Sequence, residues 1–259
     1  MRIVVLTNKG SLFGKKLINE LLAQDIPVEA GVVIRQPIGY HLKLFNYVKK
    51  RVGGFDAVLF SIQKVLSSKE KLSKWRTNKF IDEYEEMDIR IIYTKGTNSN
   101  QTLDDLRKLK PDLLLLGQTG IIRKRIIQIP KLGTLKAHPG ILPYYRGIDC
   151  GKWAIFNDDF KNIGCSVHWV DTGVDTGNII LREKYTITCD ETLETLEANL
   201  NNLAVRLLAK VVVSIIEQKE FDGIGQNRIG GRQYYKMSRR NENTVRRILS
   251  DRGRSRSAR

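Results

Sequence analysis

The chain has 259 residues, 41% of them hydrophobic and 28% charged, which is enough for one large domain or two modest ones. No apolar run approaches the ~18 residues that a membrane span needs, the first residues lack the pattern of a signal peptide, and three unclustered cysteines exclude a disulfide scaffold and a cysteine-based zinc site. Lys and Arg outnumber Asp and Glu by 44 to 28, a net charge of +16, so we expect a basic, globular, cytoplasmic protein.

The first half of the chain alternates between strand and helix patterns. Strands are predicted over residues 2–7, 27–34, 89–93, 112–116 and 134–137, and helices over 12–22, 103–109 and 121–127. This alternation indicates βαβ units, and the uniform run Leu113–Leu116 is typical of a strand buried on both faces. The predicted fold class is therefore α/β, with a doubly wound, mostly parallel, Rossmann-like sheet.

Beyond residue 138 the pattern changes. Residues 149–156 are predicted as a helix, 164–170 and 178–187 as antiparallel strands, 192–218 as a long helix and 224–237 as a hairpin around Gly230-Gly231. The Arg- and Ser-rich tail over 237–259 is predicted to be disordered.

The excess positive charge lies in two segments. Residues 38–81 hold ten Lys or Arg against two acidic residues, a net of +8, and residues 237–259 hold eight Arg against two acidic residues, a net of +6. Apolar residues at helical spacing predict a basic helical insertion over 38–81, and contact of either segment with an anionic membrane is the alternative interpretation. Nucleic acid is not an expected partner, because the basic residues do not line the body of the domain.

Chemistry-bearing residues follow the last predicted parallel strand. His138 lies at the carboxyl end of this strand, where open α/β sheets place their ligands, and Lys136 leaves the same strand face. Pro139 and Pro143 stiffen the loop that follows, and the later loop 171–177 offers two carboxylates. Three widely separated histidines do not suggest a metal site.

The combined motifs resemble those of the folate-dependent formyltransferase family. They are His138-Pro139, Leu142-Pro143, Tyr145-Arg146-Gly147, Trp153 to Asn157, Gly164 to His168 and Asp175 to Ile180. The resemblance implies a catalytic domain over 1–205, a C-terminal extension over 206–236 with the helix end and the hairpin, and the tail after it.

The family resemblance assigns catalytic roles to His138 and Asp175. Formyl transfer to an amine needs a proton shuttle and stabilisation of an oxyanion, and a histidine oriented by a carboxylate supplies the first. Lys136 occupies the position of a family asparagine, so we include it as a catalytic residue whose ammonium stabilises the oxyanion. The alternative is a degenerate site that binds without turnover. His168 matches a family histidine that usually lies near the site without being central to it, and we interpret it as a packed strand histidine.

The resemblance also implies N10-formyltetrahydrofolate as the co-substrate, without a metal. Its predicted binding residues are Thr119, Gly120, Ile121, Ile122, Asp171 and Val174. The purely structural alternative for Ile121 and Ile122 is that they begin a buried helix.

The chain size is most like that of the nucleotide-sugar N-formyltransferases. These enzymes act on nucleotide-linked amino-dideoxysugars, GDP-perosamine or dTDP-linked 3- or 4-amino sugars, for O-antigen and lipopolysaccharide biosynthesis. Arg146, Tyr234 and Tyr235 are the predicted substrate-binding residues, with at least one tyrosine serving in packing. Glycinamide ribonucleotide, an aminoacyl-tRNA, or a non-catalytic role in nucleotide or RNA binding are the alternatives. A homodimer is compatible with the sequence, which does not fix the oligomeric state.

Overall fold

A seven-stranded sheet organises the computed structural model, which describes residues 1–37, 45–50, 52, 84, 87–217, 223–227 and 231–257. Its elements are β1 (Ile3–Asn8), α1 (Leu12–Ala23), β2 (Val28–Arg35), β3 (Ile91–Lys95), α2 (Asn100–Leu109), β4 (Leu113–Gly117), α3 (Lys124–Ile127), β5 (Gly133–His138), β6 (Tyr145–Gly147), α4 (Cys150–Phe156), β7 (Gly164–Trp169), β8 (Ile179–Lys184), α5 (Leu193–Ile216), β9 (Arg232–Tyr234) and α6 (Arg239–Ser257).

The strand order is β3-β2-β1-β4-β5-β7-β8. The first five strands are parallel, and β7 and β8 continue the sheet antiparallel beside β5. The chain adds β2 and β3 on one side of β1, and then adds β4 and β5 on its other side. Doubly wound sheets form their ligand crevice where the order of strands reverses in this way, here between β1 and β4. The predicted α/β class and mostly parallel sheet are confirmed.

The central strands are apolar on both sides because each face of the sheet is covered by helices. Alternate residues divide between two clusters: Val5 and Leu115 join the cluster that includes α1 and α5, whereas Leu6 and Leu116 join the one that includes α2 and α3. All four side chains are buried. This period of two is the geometry of a strand, and it explains the uninterrupted apolar runs.

Helix α5 is long and apolar because it crosses the core. It begins with a capping box between Thr192 and Thr195. Among the described residues it is the one helix whose length and composition would allow it to span a membrane, and half of that segment is buried in this fold. The predicted boundary at 205/206 lies within α5, where Ala204 and Leu207 are buried in the same cluster.

The tail that was predicted to be disordered forms helix α6 as far as residue 257. Its composition is polar, but Val245 and Leu249, one turn apart, are buried in the main cluster. Each buried aliphatic side chain of this size contributes roughly 1.5–3 kcal/mol. The sequence prediction was wrong because a few tertiary contacts outweigh the composition of the segment.

Two further elements differ from the sequence predictions. The predicted hairpin strand β9 instead pairs in parallel with β6, and Ile224 pairs with Ile179 at the edge of β8. The predicted helix 121–127 starts at Lys124, because the carbonyl of Ile121 accepts a hydrogen bond from Asn98 in an extended loop. Of the basic insertion, residues 45–50 are helical, as predicted, and most of the remainder lies outside the described residues.

Candidate active site

His138 ends β5 with its ring 1% exposed. Its Nε2 lies 2.8 Å from the carbonyl oxygen of Tyr145, which only accepts hydrogen bonds, so we assign the ring proton to Nε2. The other nitrogen, Nδ1, lies 3.5 Å from Oδ2 of Asp175 and has no hydrogen-bond partner among the described residues. The neutral ring therefore presents its basic nitrogen on the side of the carboxylate.

The surroundings of His138 favour this neutral form. Burial is the main cause that lowers its pKa, to about 4, and the charge of Lys136 acts in the same direction. Asp175 opposes them by favouring the protonated ring, but it does not outweigh burial. At neutral pH the ring is thus an uncharged base.

Asp175 is the residue on which the site converges. It is 5% exposed, and its Oδ2 accepts a hydrogen bond from the backbone N–H of Gly147 at 2.9 Å. Its Oδ1 lies 2.6 Å from Nζ of Lys136 and 3.6 Å from Nε2 of His168. Burial alone would raise the pKa of Asp175, but the neighbouring histidines and Lys136 hold it well below its usual range. The carboxylate is ionised throughout the physiological range.

Strand register brings these side chains together. In the antiparallel pair of β5 and β7, Lys136 lies opposite His168, and His138 lies opposite Ser166, so all four project from one face of the sheet. The Lys136 side chain is 33% exposed, whereas Asp175 and both histidines are almost fully buried. Lys136 therefore lies on the solvent side of the group.

His168 lies beside the site, where the family resemblance places a histidine. It is also packed in its strand, since its Nδ1 contacts the carbonyl oxygen of Trp169 at 2.7 Å. Its Nε2 faces Asp175, which the sequence reasoning did not predict. The signal for that contact is the pairing of β5 with β7, which sequence spacing alone does not give.

The predicted cofactor-binding residues lie in two loops, 119–122 and 171–174. Gly120 has a positive φ of 80°, and Ile121 is 76% exposed while Ile122 is buried. Ile122 shares an apolar cluster with Val170, which immediately precedes the second loop. In that loop Oδ1 of Asp171 accepts hydrogen bonds from the backbone and from a threonine hydroxyl, so its backbone is fixed. Both loops thus border the same apolar cluster, and the side chain of Ile121 is left exposed.

The predicted substrate-binding residues have different surroundings. Tyr234 stacks on Tyr145 at 5.0 Å between ring centroids and also contacts Trp153, so it is the tyrosine of the pair that packs against the domain. Tyr235 is 37% exposed. Arg146 carries a buried Nε without a hydrogen-bond partner among the described residues.

Gly147 supports the site through its backbone. Its φ is +102°, and a Cβ there would lie 2.1 Å from the carbonyl oxygen of Tyr234 on the paired strand β9. We expect Gly147→Ala to lower the free energy of unfolding by about 1–3 kcal/mol, measured by denaturant titration, because strain at positive φ adds to this overlap.

Gly96→Ala is the matched control for Gly147→Ala. Gly96 also has a positive φ, +73°, but its added Cβ would meet no atom closer than 3.8 Å. Gly96→Ala should therefore lower the free energy of unfolding less than Gly147→Ala does. Equal decreases in the two variants would show that β9 moves to accommodate the added methyl group at no cost in free energy.

Comparison with known proteins places this geometry in a family. Residues 1–212 match the family model described as formyl transferase. A segment of 128 residues is 36% identical to the methionyl-tRNA formyltransferase of Methylacidiphilum infernorum, and the match covers 49% of this chain but only 40% of that protein. The chain therefore matches less than half the length of this curated relative.

Solved structures share the fold. Glycinamide ribonucleotide transformylase 1 from Symbiobacterium toebii aligns with a TM-score of 0.60 at 17% identity, over 87% of this chain and 93% of that one. An N-formyltransferase from Helicobacter canadensis, in complex with folinic acid and dTDP-3-aminofucose, aligns with a TM-score of 0.59 at 17% identity, over 96% of this chain and 81% of that one.

Proposed function

The chain belongs to the formyl transferase family, and we propose that it transfers a formyl group from N10-formyltetrahydrofolate to the amino group of a nucleotide-linked amino-dideoxysugar. The observation that carries the proposal is the buried pair of a neutral His138 and an ionised Asp175, 3.5 Å apart, with a cationic Lys136 beside them. This set provides a base, a group that stabilises the protonated base, and a positive charge.

Each proposed catalytic residue has a defined role in the transfer. When bound, N10-formyltetrahydrofolate supplies the formyl carbon. His138 takes a proton from the acceptor amine as the amine nitrogen forms its bond to the formyl carbon. It then returns a proton to the donor nitrogen as the bond between that nitrogen and the formyl carbon breaks. Asp175 stabilises the imidazolium in between, and its own bond to the N–H of Gly147 keeps it in place.

Lys136 stands where the family resemblance places an asparagine amide. It lies on the solvent side of the buried group, within 2.6 Å of the carboxylate, so its ammonium borders the space that a substrate would enter. We propose that it stabilises the negative charge that develops on the formyl oxygen. A site that binds without turnover is the alternative that the kinetic test below addresses.

The residues of the two loops fit the folate co-substrate. The exposed Ile121 side chain offers an apolar contact for a flat ring. The backbone at 119–122 offers hydrogen-bonding groups at the carboxyl edge of the sheet, and the fixed backbone at 171–174 offers further groups beyond the end of β7. We therefore retain Thr119, Gly120, Ile121, Ile122, Asp171 and Val174 as the proposed donor-binding residues. Arg146 and Tyr235 remain proposed acceptor-binding residues.

The acceptor is the finer part of the proposal. A nucleotide sugar is supported by the fold shared over 96% of this chain with an N-formyltransferase crystallised with a dTDP-linked amino sugar. Methionyl-tRNA is the second candidate, because a curated relative with 36% identity over the matched segment is a methionyl-tRNA formyltransferase.

A formyl-transfer assay separates these candidates. The protein is incubated with N10-formyltetrahydrofolate and, in turn, dTDP- and GDP-linked amino sugars, glycinamide ribonucleotide and methionyl-tRNA. We expect turnover with an amino-sugar nucleotide. Turnover with methionyl-tRNA alone would assign the second candidate, and absence of turnover with every acceptor would overturn the enzymatic function.

Lys136→Ala tests both the charge and the pH dependence. We expect kcat to fall by at least ~10-fold through loss of the stabilising ammonium. In the wild type, kcat/KM should fall as the pH drops through about 4, because His138 then becomes protonated and ceases to be a base. Lys136 lowers the pKa of His138, so the variant should lose activity at a higher pH than the wild type.

The Lys136 test is read from pH profiles of kcat/KM. Lys136→Arg retains the positive charge and should keep the acidic limb of the profile near its wild-type position. If Lys136→Ala shows an unchanged kcat and an unchanged acidic limb, Lys136 has no role in the chemistry.

A further inference from the structure

A cavity of about 560 Å³ lies beside the active site and contains none of the residues assigned so far. We call it the β8 pocket. It is lined by Pro143 and Tyr144 from the loop after His138, by residues 179–182 of β8, and by residues 224–227. Three separate parts of the chain thus form its wall.

Strand register fixes the position of the β8 pocket relative to the catalytic base. His138 lies opposite Ser166 on β7, and Ser166 lies opposite Arg182 on β8, so the three residues form one row on the same face. With strands about 4.8 Å apart, the Cα of Arg182 is roughly 10 Å from that of His138. A ligand in the pocket can therefore extend a short arm to the base.

The pocket wall is also bonded to the catalytic aspartate loop. The Nε2 of Gln226 donates hydrogen bonds to the carbonyl oxygens of Asp175, at 3.0 Å, and of Gly177, at 2.7 Å. On the other side, Nη1 of Arg182 donates to the carbonyl oxygen of Leu142 at 3.1 Å, in the loop that follows His138. The pocket and the catalytic residues therefore share two structural supports.

The chemistry of the wall suits an anion that carries an aromatic or sugar ring. Arg182 is an exposed guanidinium, and no acidic residue is among the described residues that line the pocket. Tyr144 is 42% exposed and Ile224 is 73% exposed, which gives flat and apolar surfaces, while Gln226 and Asn227 contribute amides. Guanidinium groups bind phosphate oxygens in bidentate fashion, and tyrosine rings stack on bases and sugars.

We propose that the β8 pocket binds the nucleoside diphosphate part of the acceptor, with Arg182 on the diphosphate and Tyr144 against the nucleoside. The sugar that bears the amine then occupies the remaining distance to His138. This inference rests on the proposed function, and it adds the residues that hold the acceptor in place.

Binding without the folate donor tests the pocket separately from catalysis. GDP, dTDP and UDP are titrated calorimetrically into the wild type, Arg182→Gln and Tyr144→Ala, with thermal unfolding as the check on folding. We expect at least one nucleotide to bind the wild type, and Arg182→Gln to weaken its binding by at least ~10-fold, as the loss of a charge-assisted hydrogen bond requires. Arg240→Gln, an exposed residue on α6 outside the pocket, is the control and should bind like the wild type.

Each other outcome overturns a different statement. Wild-type affinity in Arg182→Gln, or binding of no nucleoside diphosphate, overturns the pocket assignment even if formyl transfer is observed. If inorganic phosphate binds as tightly as the nucleotide, the proposed nucleoside contact is overturned.

Arg182→Lys keeps the positive charge, so it should bind the nucleotide better than Arg182→Gln does. If both variants bind equally weakly and both unfold at a lower temperature, Arg182 acts only by holding the loop at Leu142. Nucleotide binding without any formyl transfer leaves the pocket standing and overturns the proposed function.

Discussion

We expect His138→Asn to lower kcat for formyl transfer by about 10²–10⁴-fold, the range over which a positioned general base contributes. The asparagine amide is shorter than the ring and does not reach the carbonyl oxygen of Tyr145, so thermal unfolding is measured beside the rates as the check on folding. The amide also has no basic nitrogen, so the proton of the attacking amine has no acceptor beside Asp175. Steady-state rates at saturating donor and acceptor measure the effect.

His168→Asn provides the comparison for His138→Asn. His168 contacts Oδ1 of Asp175 and the backbone of Trp169, but it lies on the neighbouring strand, so its loss should mainly alter the position of the carboxylate. We expect a loss of about 10-fold, clearly smaller than for His138. If both variants lose activity equally, or if His138→Asn remains within a few-fold of the wild type, His138 is not the base.

The second large effect concerns the free energy of unfolding. Lys152 on α4 is buried, and its ammonium lies 2.5 Å from Glu197, 2.7 Å from Glu242 and 3.5 Å from Asp149. Burial alone would lower the pKa of Lys152, but these carboxylates outweigh it and raise the pKa above its ordinary value. We expect Lys152→Ala to destabilise the protein by about 3 kcal/mol, because it removes the buried cation that three carboxylates share and leaves only Lys236 to balance Asp149 and Glu242.

Denaturant titration at neutral pH measures the effect of Lys152→Ala. Lys131→Ala is the control, because its ion pair with Asp112 is formed by a lysine whose side chain is 70% exposed. An exposed pair of this kind contributes little, because both charges remain hydrated and the attraction is screened. If the two variants are destabilised to the same extent, the ion-pair network around Lys152 stabilises the protein no more than a surface ion pair does. Lys236, which also contacts Asp149 and Glu242, would then replace Lys152 as the cation of the network.

The sheet could be predicted from the sequence because its signal is local and strong. The run Leu113–Leu116 must be buried on both faces, and His138 follows directly from the end of a parallel strand. The placement of Lys136 on the same strand face as His138 also followed from alternation along β5. These features depend on neighbours in sequence or on a single motif.

The remainder could not be predicted because it depends on contacts between distant segments. Helix α6 is stable because Val245 and Leu249 are buried against residues far earlier in the chain. Tyr234 is a packing residue because β9 pairs with β6, which brings its ring onto Tyr145. His168 joins the site only through strand register. The local composition favours a disordered tail for α6, and it does not decide which tyrosine packs or which way the ring of His168 faces.

The pairing of β6 with β9 has a consequence for how the protein divides into folding units. Gly147 on β6 donates its N–H to the carboxylate of Asp175, while β9 supplies the neighbouring strand, and the N–H of Met237 donates to the side chain of Asp149 just beyond Gly147. Residues after 212, which the family model does not match, therefore brace the segment that contacts Asp175. The proposed site thus depends on strand and side-chain contacts that come from outside the matched part of the chain.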